Sequence, residues 1–217
     1  MAKRISMTER VTAALRRDIT NGVYHSESLL TESEVSQKFN VSKTPAREAL
    51  SQLCSEGLLE KLPHKGYLLK RYSIRDVECL LQFRYVLETS GVEAVIQSAS
   101  NEDIAQLRRL CEEHTQLSEE EEIKQYITLN NQFHIALISI ARNPFMTAAL
   151  ANTLDQLKLA LTIDQAANPH SVKLMDHWAI LDAIEKRDVE KAKSLVGQFV
   201  NSIHGRIPMN QSKWEWR

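Results

Sequence analysis

The stretch VSKTPAREAL, residues 41 to 50, decides the fold that this sequence predicts, because it places hydroxyl and basic residues directly before a helical pattern. Ser42 is a favourable N-cap and Pro45 is tolerated in a first helical turn, so a helix should begin at about residue 43. The backbone N–H groups at that end carry partial positive charge, which suits the binding of an anion such as a phosphate. Three polar side chains lie beside them: Lys43, Thr44 and Arg47.

Two helical patterns precede this stretch. An apolar face runs from Val11 to Ile19, and Gly22 supplies a stop. The next helix begins at Thr31, where Glu34 three residues later forms the S/T-x-x-E capping box. Three helices with a tight turn before the third are the helix-turn-helix arrangement, whose third helix enters the major groove of DNA.

Residues 58 to 72, LLEKLPHKGYLLKRY, follow directly and predict a strand, a turn and a second strand. A hairpin after a helix-turn-helix is a wing. The tip of this wing would present His64, Lys65 and Gly66 to DNA. The glycine would let the backbone approach a minor-groove wall closely.

The segment LLTESEVSQKFNVSKTPAREALSQLCSEGLL...HKGYLL resembles the N-terminal winged helix of the GntR family of bacterial transcription regulators, over roughly residues 8 to 70. Ser33 stands where the family often has an arginine, which implies that one common contact is missing and that the operator preference differs from the family norm. The resemblance implies that four residues contact operator DNA: Lys43, Thr44, Arg47 and Gly66. Their neighbours complete the expected interface: Ser42, Pro45, His64 and Lys65.

The composition is that of a globular protein, since 43% of the 217 residues are hydrophobic and 25% are charged. No apolar run approaches the ~20 residues that a membrane span requires. The N-terminal residues MAKRISMTER lack the apolar core of a secretory signal, so we expect a cytoplasmic protein without membrane contact.

The chain has three cysteines, Cys54, Cys79 and Cys111, which form no CxxC spacing. Each falls in an apolar helical pattern that predicts packing in the core.

Charge divides the chain into two parts. Residues 1 to 72 carry 12 Lys and Arg against 8 Asp and Glu, a net charge of +4, whereas residues 73 to 217 carry 15 against 20, a net charge of −5. This asymmetry predicts that only the first part meets a polyanion. We therefore expect a winged helix-turn-helix DNA-binding domain over residues 1–72 and an all-helical effector-binding and dimerisation domain over residues 73–217.

From about Ser73 onward the sequence shows a succession of helical stripes, which predicts a bundle of six or seven helices and a mostly α protein. Polar residues on apolar stripes point to a site, because an unpaired polar group costs about 1 to 3 kcal/mol when it is buried. For each residue alone, a satisfied core group is the alternative. Four such residues could converge in the bundle interior: Arg84, Asn130, His134 and His177.

The segments NNQFHIALISIARNP and HWAILDAIEKRDVEKAKSLV resemble the FCD-type effector domain of many GntR regulators, and RYVLE resembles its first long helix. In that family an aspartate and three histidines bind a divalent metal that helps to hold a small carboxylate. His134 and His177 match two of these ligands, but Asn130 replaces the aspartate and Phe199 the last histidine. The resemblance therefore implies an incomplete site for zinc or a similar metal, formed by Asn130, His134 and His177.

We therefore expect the second domain to bind a small carboxylate directly, with Arg84 as a fork-shaped donor, the two histidines as hydrogen-bond partners and Asn130 as a further effector-binding residue. The predicted protein is a homodimeric repressor of a metabolic operon, which binds palindromic double-stranded operator DNA and is released by its effector. A regulator that senses a divalent metal is the first alternative. A helical interaction protein without DNA contact is the second.

An enzyme is a further alternative that the sequence disfavours. Asn130, His134 and His177 could form the core of a zinc hydrolase, and Cys111 with His114 could form a thiol site. The sequence contains no HExxH motif, no nucleophile elbow and no Gly-rich phosphate loop. We therefore expect no catalysis and no tightly bound cofactor.

Overall fold

A computed structural model describes residues 5–115, 123–164 and 177–204 of the chain, with the side chains of residues 123–124, 161–164 and 203–204 left out. Within these ranges the elements confirm the expected class, a mostly α protein with a winged helix-turn-helix followed by a helical bundle. The elements are α1 (Met7–Thr20), β1 (Leu29–Leu30), α2 (Glu32–Phe39), α3 (Lys43–Ser55), β2 (Leu59–Leu62), β3 (Gly66–Leu69), α4 (Ile74–Ser98), α5 (Asn101–Thr115), α6 (Ile123–Ser139), α7 (Pro144–Asp164), α8 (Trp178–Glu185) and α9 (Val189–His204).

Local capping explains where the first three helices begin. Ser6 caps α1 and Thr31 caps α2, each in a capping box with the glutamate three residues later. Helix α3 begins at Lys43 with Ser42 in the N-cap position, as predicted, but the Ser42 side chain makes no capping hydrogen bond. That side chain therefore leaves the first backbone N–H groups of α3 open to an acceptor from outside the helix.

The wing belongs to a three-stranded antiparallel sheet with the strand order β1-β3-β2. Strands β2 and β3 form the predicted hairpin, in which Leu59 lies opposite Leu69 and Leu62 opposite Gly66. The sequence did not indicate strand β1, because two residues are too few to show the alternation of a strand. Strand β1 pairs with the other edge of β3, so β3 is the central strand.

Gly66 is required by the packing of this sheet. Its φ of 138° is one that residues with side chains rarely adopt. A Cβ atom at this position would lie 2.5 Å from the carbonyl oxygen of Leu30 in β1. The glycine therefore lets β3 and β1 approach each other closely. This close contact lies within the protein, whereas the sequence analysis expected a close approach to DNA.

The first compact unit comprises the chain up to Tyr72 together with the end of α7 from Asp155 onward. The sequence assigned all residues after 72 to the second domain, and the structure differs because the end of α7 makes its contacts in the first unit. Leu159 is fully buried in the core of that unit, and Lys158 donates a hydrogen bond to Asn21 Oδ1. Residues of α1, α3 and the sheet form most of this core: Val11, Leu15, Ile19, Ala46, Ala49, Leu50, Leu53, Leu58, Leu59, Tyr67 and Leu69.

The second unit contains α4, α5, α6, α8, α9 and the first part of α7, so the described residues contain the six helices expected after residue 72. Helix α4 is the longest, with 25 residues, and packs against α9 and α6. None of the helices in the ranges described has both the length and the apolar content that a membrane crossing demands.

The cysteines occupy three different environments. Cys111 is buried and Cys54 is half-buried, but Cys79 is exposed. The prediction of core packing is therefore wrong for Cys79. The reason is the helical period: Cys79 lies two residues from both Val77 and Leu81, which are buried, so it projects from the opposite side of α4.

We expect the substitution Gly66→Ala to lower the free energy of unfolding by about 1 to 3 kcal/mol, because the new methyl group would be strained at this φ and would collide with β1. Urea denaturation followed by circular dichroism measures the change. The exposed neighbour provides the control, since Lys65→Ala should change the same quantity by less than about 0.5 kcal/mol. Equal stability of the two variants would contradict this explanation of the glycine.

Candidate functional site

The amino end of α3 lies at the surface of the first unit. Ser42, Lys43 and Thr44 are exposed and Pro45 is half-buried, whereas the next residue, Ala46, is fully buried in the core. The apolar face of α3 therefore fixes the rotation of the helix and turns its basic, hydroxyl-rich end to solvent. This is the arrangement that binding to a phosphate requires.

Arg47 lies on the same exposed face, with 61% of its side chain accessible. Its Nε lies 3.1 Å from each carboxylate oxygen of Glu32, at the start of α2. Exposed ion pairs contribute only about 0 to 1 kcal/mol, so this one holds the guanidinium group at the surface without preventing its exchange to another anion. The sequence analysis missed Glu32 as a partner of Arg47, because nothing in the sequence shows which parts of two helices face each other.

The expected wing contacts lie in the turn between β2 and β3. His64 and Lys65 are exposed, and His64 has a positive φ of 61°, which tightens the turn. Gly66 is half-buried, as its strand contact requires. The expected DNA contacts thus form two exposed groups, one at the start of α3 and one at the tip of the wing.

The second unit contains a buried network of charges centred on Glu88. Arg84 and Glu88 lie one turn apart on α4, and the Arg84 Nε donates a hydrogen bond of 2.6 Å to the Glu88 Oε1. The other carboxylate oxygen of Glu88 lies 2.6 Å from the Nδ1 of His134 on α6. All three side chains are almost completely buried. A buried carboxylate is stable only when it is compensated in this way, so the network joins α4 to α6.

His177, directly before α8, joins the network through ring contacts. The centroid of its ring lies 5.1 Å from that of His134, 4.1 Å from that of Phe133 and 5.0 Å from that of Phe199. The guanidinium carbon of Arg84 lies 5.6 Å from the centroid of the Phe199 ring. The structure therefore brings Arg84, His134 and His177 together, and their role in binding an effector stays a prediction.

Asn130 is the fourth residue that was expected at this site. It is buried one turn before His134 on α6, and its Nδ2 donates a hydrogen bond to the Oδ1 of Asn131. Within the described ranges, no hydrogen bond joins Asn130 to Arg84 or His177. Its position beside the cluster follows from the helical spacing alone.

Several buried polar atoms of this group have no hydrogen-bond partner among the residues that the structure describes. Each such atom costs about 1 to 3 kcal/mol, and folded proteins contain few of them. A group of them in one place is therefore typical of a site that forms hydrogen bonds with a ligand. The atoms are Arg84 Nη2, Asn130 Oδ1, His134 Nε2 and both ring nitrogens of His177.

The pKa values of the ionisable groups in this cluster determine which of these atoms carry a hydrogen that they can donate. Burial alone would raise the pKa of Glu88, but Arg84 and His134 outweigh it and lower that pKa to about 2. Burial lowers the pKa of His134 despite the attraction of Glu88, and burial together with His134, His114 and Arg84 lowers the pKa of His177. Near neutral pH, Glu88 is therefore ionised and both imidazoles are neutral. The His134 Nδ1–H donates to Glu88, and the His134 Nε2 presents a lone pair.

The metal set expected from the resemblance is not supported. Within the described ranges, no group of three or more His, Cys, Asp and Glu residues could hold a metal ion. Phe199 occupies the position of the last histidine ligand, and Arg84 places a permanent positive charge beside its ring. Two imidazoles and one amide fall short of the usual ligand set, so Asn130, His134 and His177 do not fit a divalent metal.

The sequence analysis did not assign Glu88 or His114 to this cluster and considered His114 only with Cys111. Glu88 follows Arg84 by four residues within RYVLE, and opposite charges at this spacing on an inward face were a readable signal. The ring of His114 lies 4.7 Å from that of His177 and 4.4 Å from that of Tyr126. No such signal marks His114, because it lies among polar residues at the end of α5.

A winged helix with an exposed basic recognition helix, followed by a helical bundle that encloses polar side chains, defines a helix-turn-helix transcriptional regulator. Residues 7–69 match the gntR family of bacterial regulatory proteins, and residues 79–202 match the FCD domain. The chain belongs to the GntR family of DNA-binding transcriptional regulators, in the FadR-like group that carries an FCD domain.

Several known proteins are similar along most of the chain. The HTH-type transcriptional repressor RspR of Escherichia coli K12 is 26% identical, over 96% of this chain and 93% of its own. The Uxu operon regulator of Haemophilus influenzae is 28% identical, over 91% of this chain and 80% of its own. Among solved structures, E. coli McbR/YncC superposes with a TM-score of 0.77 at 22% identity, over 93% of this chain and 98% of its own, and shares the fold.

We expect Glu88→Gln to lower the free energy of unfolding by about 3 to 5 kcal/mol, because it leaves the buried Arg84 without a compensating charge. A surface pair with the same spacing is the control: Lys186→Ala removes the ion pair with Asp182 and should cost less than about 0.5 kcal/mol. Denaturation in urea measures both variants.

The same network predicts a dependence on pH. Glu88 has a lowered pKa in the folded state, so its contribution to stability is present above the ordinary value of 4.5 and is lost as the pH falls from there towards 2. Glu88→Gln should remove this part of the acid sensitivity. A wild-type protein and a variant with parallel stability curves between pH 5 and about 2 would contradict the assignment.

Proposed function

We propose that this protein represses a metabolic operon by binding a palindromic operator as a homodimer in the cytoplasm, and that a small organic acid bound in the second unit releases it. The observation that carries the DNA-binding part is the exposed amino end of α3, with Lys43, Thr44 and Arg47 at the surface. These side chains and the adjacent N–H groups would fix phosphates, while Lys43 or Arg47 would reach guanine edges in the major groove.

The dimer and the palindrome follow from the size of the recognition element. One short helix reads only a few base pairs, whereas two copies related by a two-fold axis read two half-sites. The names of two relatives support control of an operon by repression, since RspR is called a repressor and the Haemophilus protein an operon regulator.

The choice of effector follows from the unsatisfied atoms of the second unit. The Arg84 Nη2 is a donor, and a neutral His177 offers one donor and one acceptor. The His134 Nε2 and the Asn130 Oδ1 are acceptors. A carboxylate would satisfy the donors but not the acceptors, so the ligand needs hydroxyl or amine hydrogens as well. A hydroxylated organic acid combines both kinds of group.

Release of the operator requires the effector to favour one arrangement of the protein over another. Such coupling between two sites is typically worth about 1 to 3 kcal/mol. Among the described residues, the contact between Glu88 and His134 supports this role, because it joins α4 to α6 at the proposed site. A ligand that bonds to the free side of His134 would act directly on that junction.

We expect Arg47→Ala to weaken operator binding several-fold and, if Arg47 contacts a phosphate, to reduce the slope of log affinity against log salt by about one. The operator would be selected from a random DNA pool, and fluorescence anisotropy at several salt concentrations would give both quantities. Lys191→Ala, an exposed lysine in the acidic second unit, is the control and should change neither. Unchanged affinity and slope for Arg47→Ala would remove Arg47 from the interface.

We expect His177→Phe to weaken the binding of effector without destabilising the protein. The substitution removes two buried nitrogens that have no partner within the described residues, so the free energy of unfolding should stay the same or rise. Loss of one hydrogen bond to a ligand should weaken binding about tenfold. Calorimetry measures the affinity for two hydroxylated acids, lactate and gluconate, and for two acids without hydroxyl groups, propionate and hexanoate. The comparison also gives the chemical class of the effector.

A His177→Phe variant that still binds the hydroxylated acids at wild-type affinity would contradict this assignment and place the effector elsewhere. Tighter binding of propionate and hexanoate than of the hydroxylated acids would show that the acceptor atoms are not used.

A further inference from the structure

The carboxyl end of α3 is held by a side chain that lies 100 positions later in the sequence. The amide of Gln156, in the part of α7 that belongs to the first unit, donates a hydrogen bond of 2.8 Å to the backbone carbonyl of Glu56. The next carbonyl, that of Gly57, accepts a hydrogen bond of 2.6 Å from the Tyr72 hydroxyl. Carbonyls at the end of a helix have no partner within it, so these two side chains complete the end of α3.

Gly57 makes this contact possible. Its φ of 77° suits a glycine directly after a helix. A Cβ atom at this position would lie 2.8 Å from the Nε2 of Gln156 and 3.1 Å from the hydroxyl oxygen of Tyr72. The lack of a side chain at residue 57 therefore lets α7 approach the end of α3 to hydrogen-bonding distance.

An arginine of α1 reinforces the same end of α3. The guanidinium group of Arg16 donates hydrogen bonds to both carboxylate oxygens of Glu56, and its Nε lies 3.5 Å from the Oδ2 of Asp155 on α7. Burial raises the pKa of Asp155 to about 6, against the opposing effects of Arg16 and Lys158 and with a further contribution from Glu56. Asp155 is therefore largely ionised at neutral pH, and one arginine bridges two carboxylates.

We propose that Gln156 is a positioning residue for DNA binding, which fixes the direction of α3 through the carbonyl of Glu56, with Arg16 supporting the same end. This inference rests on the proposed function, in which α3 reads the operator. Helix α3 has 13 residues and is therefore about 20 Å long. A tilt of about 10° at its carboxyl end would move its amino end by about 3 Å.

The two kinds of DNA contact differ in how strongly they depend on the direction of α3. A hydrogen bond to a base edge requires a distance of about 2.7 to 3.2 Å and a favourable angle, so a displaced helix loses it. Binding to unrelated DNA rests on electrostatic attraction to phosphates, which long basic side chains retain after a small displacement. The hydrogen bond from Gln156 should therefore contribute to the preference for operator over unrelated DNA.

Fluorescence anisotropy with the full-length protein tests this role. Gln156→Met keeps the length of the side chain and removes its donor. We expect it to weaken binding to the selected operator about three- to tenfold. The affinity for unrelated DNA and the salt slope should stay unchanged, because no phosphate contact is lost. Gln198→Met is the matched control, since it removes an exposed hydrogen bond to Ser194 on α9 and should change none of these quantities.

Two further variants separate positioning from a general loss of stability. Gln156→Lys restores a donor and should recover most of the operator affinity that Gln156→Met loses. Arg16→Lys keeps the positive charge but loses the planar fork that binds Glu56, so it should weaken operator binding and spare unrelated DNA. Urea denaturation checks that each variant is folded under the conditions of the assay. Wild-type operator affinity of Gln156→Met, or an equal loss for both kinds of DNA, would overturn the proposal.

This inference and the proposed function fail in different ways. If Arg47→Ala lowers both the operator affinity and the salt slope while Gln156→Met changes neither, the positioning role is rejected and the proposed function stands. If the wild-type protein selects no operator from the random DNA pool, the proposed function is rejected, and the role of Gln156 is rejected with it.

Discussion

The buried carboxylate of Glu88 is the constraint on which the second unit depends. An ionised group without water must be surrounded by donors, and Arg84 and His134 meet this need from the same helix and from α6. Because two charged side chains of α4 must point inward, the rotation of that helix is fixed. The opposite face, with Phe83 and Val86, must then point outward. One electrostatic requirement therefore sets the orientation of α4 at the site proposed for the effector.

Much of the fold was predictable because it is coded locally. The capping box at Thr31 and the proline in the first turn of α3 identify helix starts within a few residues of chain. Strand β1 was not predictable in this way, since Leu29 and Leu30 are a strand only because β3 lies beside them. The position of the end of α7 was likewise not predictable from the local sequence. The sequence there continues the helix of the second unit, but the other buried residues in the core of Leu159 all come from the first 69 residues of the chain.

The site was predictable to the extent that polar residues interrupt apolar stripes. This rule identified Arg84, His134 and His177, which the structure brings together. The rule did not identify Glu88, because a glutamate on a long helix is usually an exposed residue, although its spacing of four residues from Arg84 was a readable signal. It also retained the histidines as metal ligands. The described residues offer no third His, Cys, Asp or Glu in a position to complete a metal site with them, and this becomes visible only when distant segments are placed in space.

In the proposed complex with DNA, the ion pair between Arg47 and Glu32 would make each phosphate contact of Arg47 an exchange. A phosphate that engages Arg47 must first displace a carboxylate, so only the difference between the two interactions counts towards affinity. This penalty applies to every DNA sequence alike, whereas contacts with base edges add to the operator complex alone. In the proposed complex the same penalty multiplies the dissociation constants for operator and for unrelated DNA by one factor. Glu32 would therefore weaken both complexes without changing the specificity that base contacts provide.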